Sequence, residues 1–274
     1  MMFICPVCCR PLEKAGSSLI CASGHSYDIS KHGYVNLLRS NASGKRHGDD
    51  KLMVRARRDF LTTGIYDPLS REVCRLSEKY TPANPVILDA GCGEGKYTLD
   101  IYNYLTSAGK KCTICGIDIS KDAVDYAARL SSDIQFAAAS SAAIPMADES
   151  TDLVISIFSP LMAGEFLRVL KSGGVFIRAY PLERHLIELK ELIYDRPYEN
   201  PPEDLTIDGF ELVETCPVKY AANLRSNEEI MNLFKMTPYY YKTSAADQAR
   251  AAATRSLDVS LEFGVSVYKK EFYN

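Results

Sequence analysis

The sequence predicts an α/β protein, a mostly parallel sheet with helices on both faces and a small metal-binding module at its amino end. Three observations predict it. Short apolar runs alternate with helical patterns at the spacing of right-handed crossovers. A glycine-rich turn closes one of the apolar runs, and four metal-type residues are paired near the start of the chain. At 274 residues, 46% hydrophobic and 24% charged, the chain is long enough for one large or two small domains with a substantial core.

The amino-terminal module comes first. Cys5-Pro-Val-Cys8 is followed, twelve residues on, by Cys21-Ala-Ser-Gly-His25. Each short pair suits a tight turn that aims two side chains at one ion, and a tetrahedron of such ligands suits one structural Zn2+ with no position left for water. A chance cluster of buried cysteines is the plainer alternative. Cys9 reads as a bystander. A module of residues 1–35 cannot bury enough apolar surface alone and depends on the metal to fold. Residues 36–62 read as a basic linker and helix, and 63–274 as the main domain with a helical insertion over 221–254. Residues 31–58 carry eight Lys or Arg against Asp49 and Asp50, a balance of +6, whereas 1–30 balance at zero. The chain total of −3 therefore leaves −9 for 59–274. Such a basic collar can contact phosphates, or be no more than a solvated helix face. Residues 40–48 are polar and glycine-containing, a flexible connection.

Beyond the linker, helices are expected over 49–62 and 68–79, broken at Gly64. There follow strand 86–89, helix 95–107, strand 113–117, helix 121–130, strands 134–137 and 152–157, helix 162–170 and strand 174–180. Two late strands, 210–218 and 257–269, alternate well enough for an antiparallel edge pair. The helices 227–235 and 245–253 lie between them, interrupted by Thr237-Pro-Tyr-Tyr-Tyr-Lys242. In such a sheet, ligands lie at the carboxyl ends of the strands.

The run Val86-Ile-Leu-Asp-Ala-Gly-Cys-Gly-Glu-Gly95 carries the chemistry. Val86, Ile87 and Leu88 suit a central strand, Asp89 ends it, and Gly91, Gly93 and Gly95 allow positive φ and close approach of a ligand to the main chain. The helix after the turn directs free N–H groups at whatever sits there. A dinucleotide could occupy such a loop, but G-x-G-x-x-G is not met, and the second strand also closes on an acid, Asp118. That acid is placed to accept from two ribose hydroxyls, which favours S-adenosylmethionine as the ligand. The bland alternatives are a helix N-cap for Asp118 and a ligand-free structural turn for the loop.

Cys5, Cys8, Cys21 and His25, with Lys31-His-Gly-Tyr-Val-Asn-Leu-Leu38, Ala56-Arg-Arg-Asp-Phe-Leu61, Gly64-Ile-Tyr-Asp-Pro68, Leu88-Asp-Ala-Gly-Cys-Gly-Glu-Gly95, Arg184-His-Leu-Ile-Glu-Leu-Lys190 and Met236-Thr-Pro238, carry a resemblance to the bacterial 23S ribosomal RNA guanine-N1 methyltransferases of the RlmA type. It runs in one order through most of the chain. It implies a class I S-adenosylmethionine-dependent fold, Rossmann-like with a seven-stranded mostly parallel sheet, and methylation of one guanine in the hairpin-35 loop of 23S rRNA, at a 745- or 748-type position. It assigns the metal to Cys5, Cys8, Cys21 and His25, and donor contacts to Tyr66, Gly93, Glu94 and His185. Asp89, Gly91, Gly95 and Asp118 are added from the residues themselves. It further suggests a homodimer whose paired surfaces form one RNA cleft; macrolides bind near that RNA hairpin, and the sequence does not say whether methylation changes the response to them.

Guanine N1 bears a proton at neutral pH, so a base or a stabiliser of the O6 oxyanion is required. No spacing identifies it; His185, Arg184 and Glu165 are candidates by location, and Tyr239, Tyr240 and Tyr241 offer stacking surface for a splayed base or pack in the core. Two rival functions share the donor loop: a small-molecule methyltransferase, and a zinc-module binding protein with a vestigial donor site. The expected setting is cytoplasmic, with no signal peptide or membrane anchor and reduced cysteines.

Overall fold

A computed structural model describes residues 2–39 and 48–271. The connection at 40–48 therefore lies, except for Gly48, outside the described residues, as do Lys45 and Arg46 of the basic collar. Strands β1 (Leu12–Ala15), β2 (Ser18–Cys21) and β3 (Ser26–Asp28) form a small antiparallel sheet, followed by β4 (Val35–Asn36). The main body continues with α1 (Lys51–Leu61), α2 (Asp67–Tyr80), β5 (Val86–Ala90), α3 (Lys96–Ser107), β6 (Thr113–Asp118), α4 (Lys121–Ala127) and β7 (Gln135–Ala138). Then come β8 (Thr151–Ile157), α5 (Ala163–Val169), β9 (Leu170–Pro181), α6 (Ile187–Ile193), β10 (Phe210–Leu224), α7 (Asn227–Lys235), a 3-10 turn (Tyr240–Lys242), α8 (Ala245–Ala253) and β11 (Leu257–Lys270).

The main sheet has the order β10-β11-β9-β8-β5-β6-β7-β4. The strands from β9 to β4 run parallel, and β11 and β10 pair antiparallel at one edge. The expected seven strands are all present, but the sheet has eight. The eighth is β4, two residues too short to register as a period, recruited because Val35 pairs with Ala137 and Asn36 with Ala138 of β7. Its apolar neighbours Phe3, Leu12, Leu19 and Leu37 share one core with Ile117, Ile144 and Met146. Met2 N–H donates to Gln135 and Ile4 N–H to the Pro145 carbonyl, both at 2.9 Å, so the module is fastened directly to the sheet.

From β5 the chain winds out through β6 and β7, then crosses back to β8 on the other side of β5. The crevice of such a sheet opens where this reversal occurs, beyond the carboxyl ends of β5 and β8. Asp50 caps α1 by accepting from Met53 N–H at 2.9 Å, and Ser120 caps α4. β9 begins four residues earlier than expected, because Leu170 turns extended and pairs with Thr151, whose hydroxyl donates to the Val169 carbonyl and ends α5. Pro217 is accommodated in β10 because that strand is at the sheet edge. Among the described residues no helix is long and apolar enough to cross a membrane.

Candidate active site and metal centre

The ligand atoms of Cys5, Cys8, Cys21 and His25 lie within 4.8 Å of one another. Cys8 Sγ and Cys21 Sγ are 3.6 Å apart, and His25 Nδ1 lies 3.3 Å from Cys21 Sγ and 3.5 Å from Cys5 Sγ. Zinc bonds of about 2.3 Å to sulfur and 2.1 Å to nitrogen give tetrahedral edges of roughly 3.8 and 3.6 Å, so the four side chains fit that ion and leave no open coordination position. Cys9, exposed and at positive φ, takes no part in the cluster.

A cavity of about 780 Å³ opens beyond β5 and β8. Gly91, Gly93, Glu94, Tyr66, Asp118 and His185 all line it. Asp89 and Gly95 do not; each sits immediately behind the loop. All three glycines have positive φ, but only Gly93 leaves room for a ligand. A Cβ at Gly91 would meet Ser159 Cβ at 2.5 Å, and one at Gly95 would meet Ala127 Cβ at 2.8 Å, so those two glycines let loops and helices close against one another rather than admit a ligand. At Gly93 the nearest atom is Arg57 Nη1 at 3.7 Å.

Acids surround this end of the cavity. Asp118 accepts from Gly93 N–H at 3.0 Å and Ser120 N–H at 2.8 Å, one on each oxygen, so it shapes the loop as well as facing the cavity. Asp89 is buried, accepts from the Thr98 hydroxyl at 2.6 Å, and is pushed up by that burial to about 7. Burial also raises Glu94, opposed by the Arg57 guanidinium, and among the described residues neither its buried Oε2 nor the buried Tyr97 hydroxyl has a hydrogen-bond partner. Native proteins rarely leave such groups unsatisfied, so both point to a polar ligand. Arg57 is tied to Asp49 at 2.6 Å; burial works against its charge, but Asp49, Glu94 and Asp118 hold it firmly cationic. Read from the sequence as one charge of the collar, Arg57 instead faces the loop, and only the acid that follows its helix-mate, in Arg57-Arg-Asp59, hints that the two arginines differ. The rest of the collar is partly committed too: Arg58 and Arg55 reach Asp59, and Lys51 reaches Asp122.

Tyr66 is buried edge-on to Phe60 and Phe263, with its hydroxyl 3.4 Å from His185 Nε2. His185 Nδ1 accepts from Glu262 N–H at 3.2 Å. That bond places the imidazole proton on Nε2, facing Tyr66. Burial pulls His185 down to about 3, helped by the Lys190 cation, so the ring is neutral with its one lone pair already used. It is thereby a poor base. The other two candidates for that role do not line the cavity: Arg184 pairs with Glu199 at the surface, and Glu165 is gripped by Arg168 and the Ile144 N–H, which hold it below the usual carboxylate range. Of the three consecutive tyrosines, Tyr239 lines the cavity, Tyr240 packs on Phe234 with ring centroids 5.2 Å apart, and Tyr241 donates to Asp50 at 2.7 Å.

The far wall of the cavity, at the ends of β8 and β9, was not legible in the sequence. It holds Phe158, Met162, Arg178 and Glu203. Phe158 is 46% exposed and held at positive φ.

Residues 83–237 match the family described as "Methyltransferase domain", and residues 3–43 the one described as "RlmA, N-terminal". A protein of Bacillus subtilis (strain 168), "Putative 23S rRNA (guanine-N(1)-)-methyltransferase YxjB", is 32% identical over 278 residues, 98% of this chain and 97% of its own. A Micromonospora griseorubida protein, "Putative 23S rRNA (guanine-N(1)-)-methyltransferase", is 29% identical over 284 residues, 95% of this chain and 94% of its own. The "23S rRNA (guanine(748)-N(1))-methyltransferase" of Streptomyces fradiae is 30% identical over 192 residues, 69% of this chain and 66% of its own.

Proposed function

The chain belongs to the RlmA-type family of S-adenosylmethionine-dependent 23S rRNA (guanine-N1)-methyltransferases, and from that premise we propose that it methylates N1 of one guanine in the hairpin-35 loop, at a 745- or 748-type position. It carries one structural zinc. The observation that supports the reading best is a single cavity running from Gly93 and Asp118 to Phe158, Arg178 and Glu203. Its size, about 780 Å³, is in the upper part of the usual range for ligand sites, roughly 300–1,000 Å³.

The glycine-loop end fits the donor. S-adenosylmethionine bound there supplies an electrophilic methyl group. Asp118 retains free lone pairs for the ribose hydroxyls after accepting its two backbone bonds. Glu94 Oε2 and the Tyr97 hydroxyl, without hydrogen-bond partners among the described residues, suit the amino-acid ammonium, and Arg57 suits its carboxylate. Asp89 and Asp118 add negative potential around a ligand of net positive charge. Tyr66 and neutral His185 close the site against water without adding a competing cation.

Hairpin-loop RNA can splay its target base into the cavity more cheaply than base-paired RNA, whose base must first be unpaired and unstacked. Purified protein with protein-free 23S rRNA or its hairpin-35 fragment should yield N1-methylguanine, read as a primer-extension stop at one position. Methyl transfer to small metabolites alone would refute an RNA substrate, and a stop outside hairpin 35 would refute the assigned target.

A further inference from the structure

Resting on that reading, we propose that Glu203 and Arg178 form the guanine site, with Glu203 as the base that removes the N1 proton and Arg178 as the donor to O6. Among the described residues four carboxylates line the cavity: Asp49, Glu94, Asp118 and Glu203. The first three cluster around Arg57 and the glycine loop, and Asp49 and Asp118 are bonded there. His185 is neutral with its lone pair occupied. Glu203 alone stands at the other end, at the termini of β8 and β9. Arg178 Nη1 donates to its Oε1 at 2.5 Å, and Oε2 has no partner among the described residues. Arg178 is 15% exposed and lies over the Tyr180 ring, 5.6 Å from its centroid, so its guanidinium is held in place.

The segment bearing Glu203 is held although it lies outside the regular elements. Fully buried Lys190 donates to the Tyr198 carbonyl at 3.0 Å and to Asn200 Oδ1 at 2.7 Å, and Asn200 Nδ2 donates to the Leu182 carbonyl at 2.7 Å. The pair matches the edge of guanine: a carboxylate accepts from N1–H and the 2-amino group, and a guanidinium donates to O6. Phe158, an exposed aromatic of the same wall, is available for the base to stack on. In the step, Glu203 takes the N1 proton and the N1–H electron pair passes through the ring to O6, where Arg178 stabilises it. The pair would then return from O6 through the ring to N1 and form the N1–CH3 bond, while a bound S-adenosylmethionine would give up its methyl group and keep the sulfur–methyl pair on sulfur as a neutral thioether. Glu203 returns its proton to solvent.

Single-turnover methylation of the hairpin fragment tests this with Glu203→Gln and Arg178→Ala, beside calorimetric titration with S-adenosylmethionine and RNA binding without donor. Glu203→Gln should bind the donor as the wild type does, lose about 100-fold or more in rate at neutral pH, and recover in proportion to hydroxide as solvent takes over the proton. Arg178→Ala should reduce by about tenfold the preference for the guanine hairpin over the same hairpin with adenine at the target. A wild-type pH profile in Glu203→Gln, loss of donor binding in that variant, or unchanged guanine preference in Arg178→Ala would each overturn the assignment while the wild type remains active. Failure of the underlying reading shows separately, as no N1-methylguanine from the wild type, and overturns both.

Discussion

Replacing Asp89 by asparagine should stabilise the protein at pH 8 far more than at pH 5. Burial raises the Asp89 carboxyl from 3.8 to about 7, against the pull of the Thr98 hydroxyl bond. A raised carboxyl contributes stability that is complete below the unfolded value near 4 and is lost as pH rises through 7. A rise from 3.8 to about 7 corresponds to something on the order of 4 kcal/mol, of which roughly 2–3 kcal/mol disappears between pH 5 and pH 8. Asparagine keeps an oxygen for Thr98 and does not titrate, so the variant minus wild-type difference isolates this group from other ionisations, those of the zinc ligands included. Urea melts of the two proteins at pH 5, 6, 7 and 8 should show that difference widening by roughly 2–3 kcal/mol, seen thermally as a shift of about 5–10 °C. A difference constant within about 0.5 kcal/mol over that range would refute the reasoning, because it would mean that Asp89 is not being forced to ionise in a dry site.

Gly91→Ala should destabilise the protein by about 2–4 kcal/mol, since a Cβ at φ +92° adds backbone strain and meets Ser159 Cβ at 2.5 Å; a melting temperature equal to that of the wild type would contradict the packing described. Arg57→Ala should weaken S-adenosylmethionine about 10–100-fold by calorimetry through loss of one charged hydrogen-bonded contact, and donor affinity equal to the wild type would remove Arg57 from the donor site. Metal analysis should find one zinc per chain, and Cys5→Ser with Cys21→Ser should abolish it and broaden the amide signals of residues 2–39; retained zinc would rule out this ligand set.

The glycine-rich turn and the four-residue metal cluster were legible because each is local: a strand, its acid and its turn are consecutive, and the cluster comes in two pairs four or fewer residues apart. The alternating body was legible for the same reason, through period and spacing. Helix α6 is only seven residues and follows Leu186 at positive φ, so it carries neither a long period nor a starting signal. Strand β4 exists because of its partner β7, across about a hundred residues. Arg178 and Glu203 meet from a strand end and an irregular segment, and no pattern within either announces the other. Glu165 and Arg184 failed as site candidates because proximity to the right strand ends does not say which way a side chain faces; both spend their charge on neighbours outside the cavity.

Strand β4 has a further consequence, for proteostasis. Without it β7 would be the last parallel strand, presenting unpaired amide and carbonyl groups and the apolar surface now covered by Phe3 and Leu37. Such an open margin is a template for pairing with other chains. The small ribbon that covers it is expected to need its ion to hold shape, so a chain made under zinc shortage would bare this margin, and metal supply would then bear on how much of the protein stays soluble.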